Sequence, residues 1–333
     1  MVAKIHAHYR TLVVLTSLFF VACGGQSEKL LSGNTMGTSY SIKYFGEQTI
    51  EQEKVDFLLD SFNQVLSTYL PKSHISKFNH DYNFFLQSST HPWLYRVAIK
   101  SKQVWLNTGG YFDISAAPLF NAYGFGEEQK QEINAYLRDS LLQLVGMDKL
   151  IFTDKTLQKV DVRTQINANA IAKGYGVDIL AQFLDGQGVQ NYLIEIGGEL
   201  RAKGKNAHGE WWSIGINKPT SGASIKSQIK QLELQNQSIA TSGNYRNYYQ
   251  EKGKKIVHTI NPKTGLAEEN NMVSASILAK NCLEADAYAT AVMAMGFPKC
   301  LSVFQHKKIS AYLIYEKNGL MVDTTIGKLN ILK

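Results

Sequence analysis

An aspartate and a threonine four residues apart, Asp286 and Thr290, sit in the run Cys282-Leu-Glu-Ala-Asp-Ala-Tyr-Ala-Thr-Ala-Val-Met-Ala-Met-Gly296. The run has no internal Gly or Pro, and Gly296 followed by Pro298 ends it, so it predicts a helix. Residues four apart share a helix face, which puts a carboxylate and a hydroxyl one turn from each other. Ala285, Ala287, Ala289, Ala291 and Ala294 are small enough to let another backbone approach. Two hard oxygens among small residues suit a divalent cation that holds a phosphate. The plainer alternative is a buried alanine-rich helix in which Thr290 bonds back to the carbonyl of Asp286 and the aspartate answers the helix dipole.

Three further groups could take part. Lys173 lies near the start of a segment, residues 167–186, whose Ile171, Tyr175, Ile179, Leu180, Phe183 and Leu184 fall at helical spacing. A lysine beside the free N–H groups of a first turn can meet a phosphate, or can simply face solvent. Gly109-Gly-Tyr-Phe-Asp113 and Gly124-Phe-Gly126 combine glycines that admit close backbone approach with flat aromatic faces. The same residues could make an ordinary glycine turn with an aspartate cap. His258 ends an expected strand beside the turn formed by Asn261-Pro262 and Thr264-Gly265, where an imidazole can accept a proton near neutral pH.

The elements that must position these groups are legible as patterns. Val55, Leu58, Leu59, Phe62, Val65, Leu66 and Tyr69 predict a helix over residues 51–69, ended by Pro71. A second helix is expected over 93–106, stopped by Gly109-Gly110, and a third over 127–145. Alternation predicts strands over 34–44, over 189–196 leading into Gly197-Gly198-Glu199, and around Trp212, Ile214 and Ile216. The fold class expected is α+β, with central mixed or antiparallel sheet flanked by helices and a cleft between two lobes.

Composition is that of a globular protein, 44% hydrophobic and 19% charged. The net charge of +7 favours phosphate-bearing ligands, without the Lys/Arg clusters of a nucleic-acid binder. Lys4 and Arg10 precede an apolar run from Thr11 to Ala22, too short to span a bilayer and of signal-peptide length. It ends in Phe20-Val-Ala-Cys23-Gly-Gly, which is similar to a bacterial lipoprotein signal with Cys23 as the lipidated residue. Removing this leader takes away two basic residues and leaves the chain basic. Cys282 and Cys300 flank a helix and are expected as buried thiols.

Taken in order, Thr35-Met-Gly-Thr38, Ser67-Thr-Tyr69, Gly109-Gly-Tyr-Phe-Asp113, Ala170-Ile-Ala-Lys-Gly-Tyr175, Gly197-Gly-Glu199, Ala240-Thr-Ser-Gly243, His258-Thr-Ile-Asn-Pro262 and Ala285-Asp-Ala-Tyr-Ala-Thr290 resemble the ApbE family of FAD:protein FMN transferases. The likeness spans roughly residues 32–325. It implies a signal peptide at 1–22, a tether at 23–31 and one flavin transferase domain over 32–333. It further implies a lipid-anchored, Mg²⁺-dependent enzyme on the periplasmic side of a bacterial membrane. Such an enzyme cleaves FAD, releases AMP and joins FMN by a phosphoester to a threonine of an acceptor flavoprotein. Expected acceptors are subunits of Na⁺-translocating NADH:quinone reductase or Rnf-type complexes, or other extracytoplasmic flavoproteins.

By the same resemblance, Asp286 and Thr290 supply side-chain metal ligands and Ala170 a backbone carbonyl. Met36, Tyr69, Tyr111, Phe112, Asp113, Asn167, Lys173 and Ile260 fall where the family contacts FAD, and His258 where it deprotonates the acceptor. Many members carry Asp where this chain has Asn167, and some carry a second carboxylate where it has Ala289, which leaves the number of metal ions open. Two alternatives use the same pocket: an FAD pyrophosphatase, and a flavin-binding lipoprotein without turnover.

Overall fold

The computed structural model describes residues 27–126, 128–217, 228–244, 248–251, 254–257, 259–267, 270–305 and 309–332. His258, the leader and Cys23 lie outside the described residues. Among the described residues no helix is long and apolar enough to cross a membrane.

Eight strands build the central sheet: β1 (Lys29–Thr35), β2 (Thr38–Phe45), β3 (Asn191–Ile196), β4 (Glu199–Lys203), β5 (Ser238–Gly243), β6 (Met272–Ala279), β7 (Ser310–Lys317) and β8 (Leu320–Ile326). Their order across the sheet is their order along the chain, and every neighbouring pair is antiparallel. Of the two arrangements expected, the sheet is thus the antiparallel one: a meander whose long connections carry everything else. The strand expected over 34–44 is in fact the turn and second arm of a hairpin. Thr35 faces Thr38 across Met36 and Gly37, both at positive φ, the geometry of a two-residue hairpin turn. Its first arm begins at Lys29, within the span expected to be tether.

The connection from β2 to β3 holds helix α1 (Gln52–Leu66), helix α2 (Pro92–Asn107) and helix α3 (Ala172–Gly186). The connection from β6 to β7 holds helix α4 (Cys282–Met295). Helix α1 buries Val55, Leu59, Phe62 and Leu66, one stripe of its surface, and stops at Ser67 rather than reaching Tyr69. The helix expected over 127–145 is reduced to Ala135–Leu142, which has no fully buried residue; its Leu141 and Leu142 lie half-buried against the small cluster of Ala116, Leu119, Tyr123 and Ile260.

Helix α4 differs in kind, being apolar on all sides, and only Glu284 and Thr290 escape full burial. A helix of that composition is stable only inside the protein. It packs on β5, β6 and α3. Strand alternation then sorts the core: Ala275, Ile277 and Ala279 of β6 join the cluster around α4, whereas Leu278 joins a second cluster with Trp212, Leu232 and Tyr312 on the opposite face. That face is covered by a three-stranded sheet of Trp212–Asn217, Gln228–Leu234 and Ile331–Leu332.

Candidate active site

Helix α4 carries Asp286, Thr290 and Ala294, each one turn further along, and all three line a single cavity of about 530 Å³. The start of α3 brings Ala170 and Lys173 to the same space. A wall of Tyr111, Phe112, Ile114, Phe120 and Phe125 closes another side, with Asp113 among them. The turn after residue 258 contributes Thr259, Ile260 and Pro262. Nine of the sequence-predicted site residues therefore meet: Tyr111, Phe112, Asp113, Asn167, Ala170, Lys173, Ile260, Asp286 and Thr290. Met36 and Tyr69 are not among the lining residues. The end of the Met36 side chain rests where Gly176 of α3 lacks a side chain, and Tyr69 is 63% exposed beyond the end of α1.

Asp286 is 2% exposed, and its Oδ2 accepts a hydrogen bond from the Gly174 N–H at 3.0 Å. Among the described residues no group donates to its Oδ1, and no bond runs from the Thr290 hydroxyl back to the Asp286 carbonyl. The plainer reading of the pair therefore fails on its central hydrogen bond. Burial pushes the Asp286 carboxyl above the usual carboxylate range, and the Lys173 ammonium works against that. For Lys173, burial acts to lower the pKa, but Asp286 and Glu199 outweigh it and hold the ammonium firmly charged. Its Nζ donates to Glu199 Oε1 at 3.0 Å.

Glu199 stands in the sequence at the end of a glycine junction and within one of the motifs that carry the family resemblance, with no role expected of its side chain. Gly197 and Gly198 turn the chain at positive φ between β3 and β4, which seats Glu199 under Lys173. Burial first, then the neighbouring Asp286 charge, push its carboxyl up to about 8, against the pull of Lys173. Its Oε2 is buried without a hydrogen-bond partner among the described residues. Asn169, Ser242 and Thr259 also line the cavity without an expected role, although Ser242 and Thr259 stand within Ala240-Thr-Ser-Gly243 and His258-Thr-Ile-Asn-Pro262. Nothing in a lone Ser, Thr or Asn marks it, although Asn169 follows Asn167 closely enough for its N–H to donate to the Asn167 Oδ1 at 2.7 Å.

On the aromatic side, Asp113 Oδ1 accepts from the Ser115 N–H at 2.8 Å and from its hydroxyl at 2.5 Å. Burial raises the Asp113 carboxyl to about 6 despite these bonds. The Tyr111 ring has Lys263 and Lys299 near its face, with ammonium-to-centroid distances of 5.0 and 5.2 Å. The lining of the cavity thus combines aromatic side chains with oxygen-bearing and cationic ones.

The ApbE family model matches residues 36–313. The chain belongs to the ApbE family. It is 36% identical to the FAD:protein FMN transferase of Vibrio cholerae, over 91% of this chain and 92% of that protein. Among solved structures, the flavin transferase ApbE from Vibrio cholerae aligns with a TM-score of 0.81 at 32% identity, covering 90% of this chain and 97% of that one. The apo form of the Pseudomonas stutzeri flavinyl transferase ApbE aligns with a TM-score of 0.80 at 29% identity, over 90% and 95%. The α+β architecture expected from the sequence is therefore the fold of this ApbE family member.

The donor set fits a hard divalent cation. It offers one unengaged carboxylate oxygen, one hydroxyl and the nearby Ala170 segment, all facing a cavity with room for water and phosphate oxygens. Among the described residues there is no cluster of three His, Cys, Asp or Glu, as a transition-metal site would show. Cys282 and Cys300 are the buried free thiols expected, both pushed up by burial, Cys300 to about 12.

Proposed function

We propose that this protein is an FAD:protein FMN transferase, which moves FMN from FAD to a threonine hydroxyl of an acceptor flavoprotein and releases AMP. The observation that carries the reading is that aromatic side chains and Lys173, Asp286 and Thr290 line one and the same cavity. FAD is a flat ring system joined to a diphosphate, and the aromatic and the oxygen- and cation-bearing groups of the lining each suit one part of it.

Tyr111, Phe112 and Phe120 pack against the ring, and Asp113 and Asn167 supply polar contacts at its edge. Lys173, kept charged by Glu199 and Asp286, draws the diphosphate inward and offsets the charge that spreads over the phosphoryl oxygens. Asp286, Thr290 and the Ala170 carbonyl would hold Mg²⁺, which as a Lewis acid would neutralise phosphate charge. His258 takes the proton of the incoming threonine; its neighbour Thr259 lines the cavity. The threonine oxygen forms a bond to the FMN phosphorus, the bond to the bridging oxygen breaks, and AMP departs with that oxygen. Water in place of threonine gives FMN and AMP instead.

The leader ending in Cys23 supports a lipid-anchored protein on the periplasmic side of a bacterial membrane. Acceptors there would be subunits of Na⁺-translocating NADH:quinone reductase, Rnf-type complexes or other extracytoplasmic flavoproteins. The test incubates the purified chain with FAD, Mg²⁺ and an acceptor domain and weighs the acceptor by mass spectrometry. A gain equal to FMN is expected. AMP and free FMN with an unmodified acceptor would make the protein a pyrophosphatase, and unchanged FAD would make it a flavin binder.

A further inference from the structure

Helices α3 and α4 hold each other by two aspartates in reciprocal positions. Asp286, on α4, accepts the N–H of Gly174 near the start of α3 at 3.0 Å. One turn along α3, Asp178 reaches back to the start of α4, where Oδ1 accepts the Cys282 N–H at 3.0 Å and Oδ2 the Leu283 N–H at 2.9 Å. The remaining first-turn donors of α4 are met from its own chain: Glu284 N–H by the Asn281 side chain at 2.9 Å and Ala285 N–H by the Asn281 carbonyl at 3.3 Å. The N-terminus of α4 is thus fully satisfied, and half of that work falls to a residue of another helix.

Asp178 is 5% exposed, so its charge needs an answer. Arg201 of β4 donates to Oδ1 at 2.7 Å. The two rungs pair 174 with 286 and 178 with 282, so the helices run antiparallel where they touch. Gly174 makes the approach possible, since a Cβ there would lie 2.4 Å from the Cys282 carbonyl oxygen.

From this ladder we infer that Asp178 is a positioning residue for the active site: it fixes α4 along α3 and so sets where Asp286 presents its second oxygen to the cavity. The inference rests on the functional reading above, because it concerns cation binding by Asp286. Without Asp178, two N–H groups of α4 lose their acceptor, Arg201 loses its counter-ion, and beside their apolar packing the two helices keep only the Gly174 bond as a hydrogen bond between them among the described residues. The carboxylate would then meet a cation in a less ordered position. Side chains hydrogen-bonded directly to metal ligands typically change metal affinity by about 10- to 100-fold when removed, and Asp178, acting through the start of α4, is expected at the lower end of that range.

The experiment measures Mn²⁺ binding by electron paramagnetic resonance on FAD-free protein, comparing wild type with Asp178→Asn, Asp178→Ala and Arg201→Gln. Circular dichroism verifies that each variant is folded. Asp178→Asn keeps the size of the side chain and one acceptor, so the test does not hang on the harsher alanine. The expected result is a Mn²⁺ affinity lowered in the order Ala, then Asn and Arg201→Gln, with the alanine variant falling by about tenfold or more. Folded variants with lower melting temperatures but wild-type Mn²⁺ affinity would overturn the inference and leave Asp178 a structural cap. A wild type that binds no Mn²⁺ at all would overturn the functional reading, and this inference with it.

Discussion

Asp286 is a carboxylate whose burial is tolerated because one oxygen is hydrogen-bonded and Lys173 lies close. Replacing it with alanine removes the charge that balances Lys173 and a ligand for the cation. Asp286→Ala is expected to abolish Mg²⁺-dependent FMN transfer, read as acceptor mass, and full activity in that variant would refute the metal assignment. Asp113 makes a prediction of another sort. Its carboxyl rises from the usual 3.8 to about 6 on folding, chiefly through burial. A raised acid binds its proton more tightly when folded, so its contribution to stability is complete below the unfolded pKa and is lost as pH climbs through about 6. Relative to Asp113→Asn, the wild type should lose about 2 kcal/mol of unfolding free energy between roughly pH 4 and pH 7. Denaturant titrations of both proteins at the two pH values check this, and an equal gap at both would show that the carboxyl is not desolvated.

The contact between α3 and α4 works because Gly174 has no side chain. Alanine there gains roughly 1 kcal/mol of helix propensity. Its Cβ, however, would sit 2.4 Å from the Cys282 carbonyl oxygen and 2.7 Å from the Asp286 Cβ, and backbone cannot yield as a side-chain tip does. Overpacking of this kind costs about 1 to 3 kcal/mol, so the overlap wins. Gly174→Ala is expected to lower the thermal midpoint and, by pushing the helices apart, to weaken transfer as well; an unchanged midpoint would mean that the helices part freely. By contrast, the small helix Ala135–Leu142 has no fully buried residue and meets the core only through half-buried side chains such as Leu141 and Leu142.

For the molecule as a whole, the meander order of the sheet lets each long connection be elaborated without breaking strand pairing. Three of these connections, from β2 to β3, from β5 to β6 and from β6 to β7, supply every lining residue of the cavity except Ser242 of β5. The whole-molecule prediction concerns location. Cys23→Ser removes the proposed lipidation site, and the protein should then leave the membrane fraction on cell fractionation; retention there would point to another anchor.

The sequence alone carried the chemistry and the identity of the elements that bear it. Asp286 and Thr290 on a helix with no Gly or Pro, Lys173 at a helix start and Asp113 after paired glycines are local patterns, and local patterns survive without knowledge of the fold. The helix over Pro92–Asn107 was legible for the same reason, because its spacing and its glycine stop lie within one stretch. Only the tertiary structure could show that the Thr290 hydroxyl is not spent on its own helix, that Glu199 sits beneath Lys173, or that Asp178 caps α4 from a different helix. Those facts depend on contacts between residues far apart in the chain, such as 178 with 282, and no spacing along a sequence encodes the direction in which two helices pass each other. Met36 and Tyr69 fell outside the cavity lining on the same account: their motifs are local, but the hairpin turn and the end of α1 carry them elsewhere.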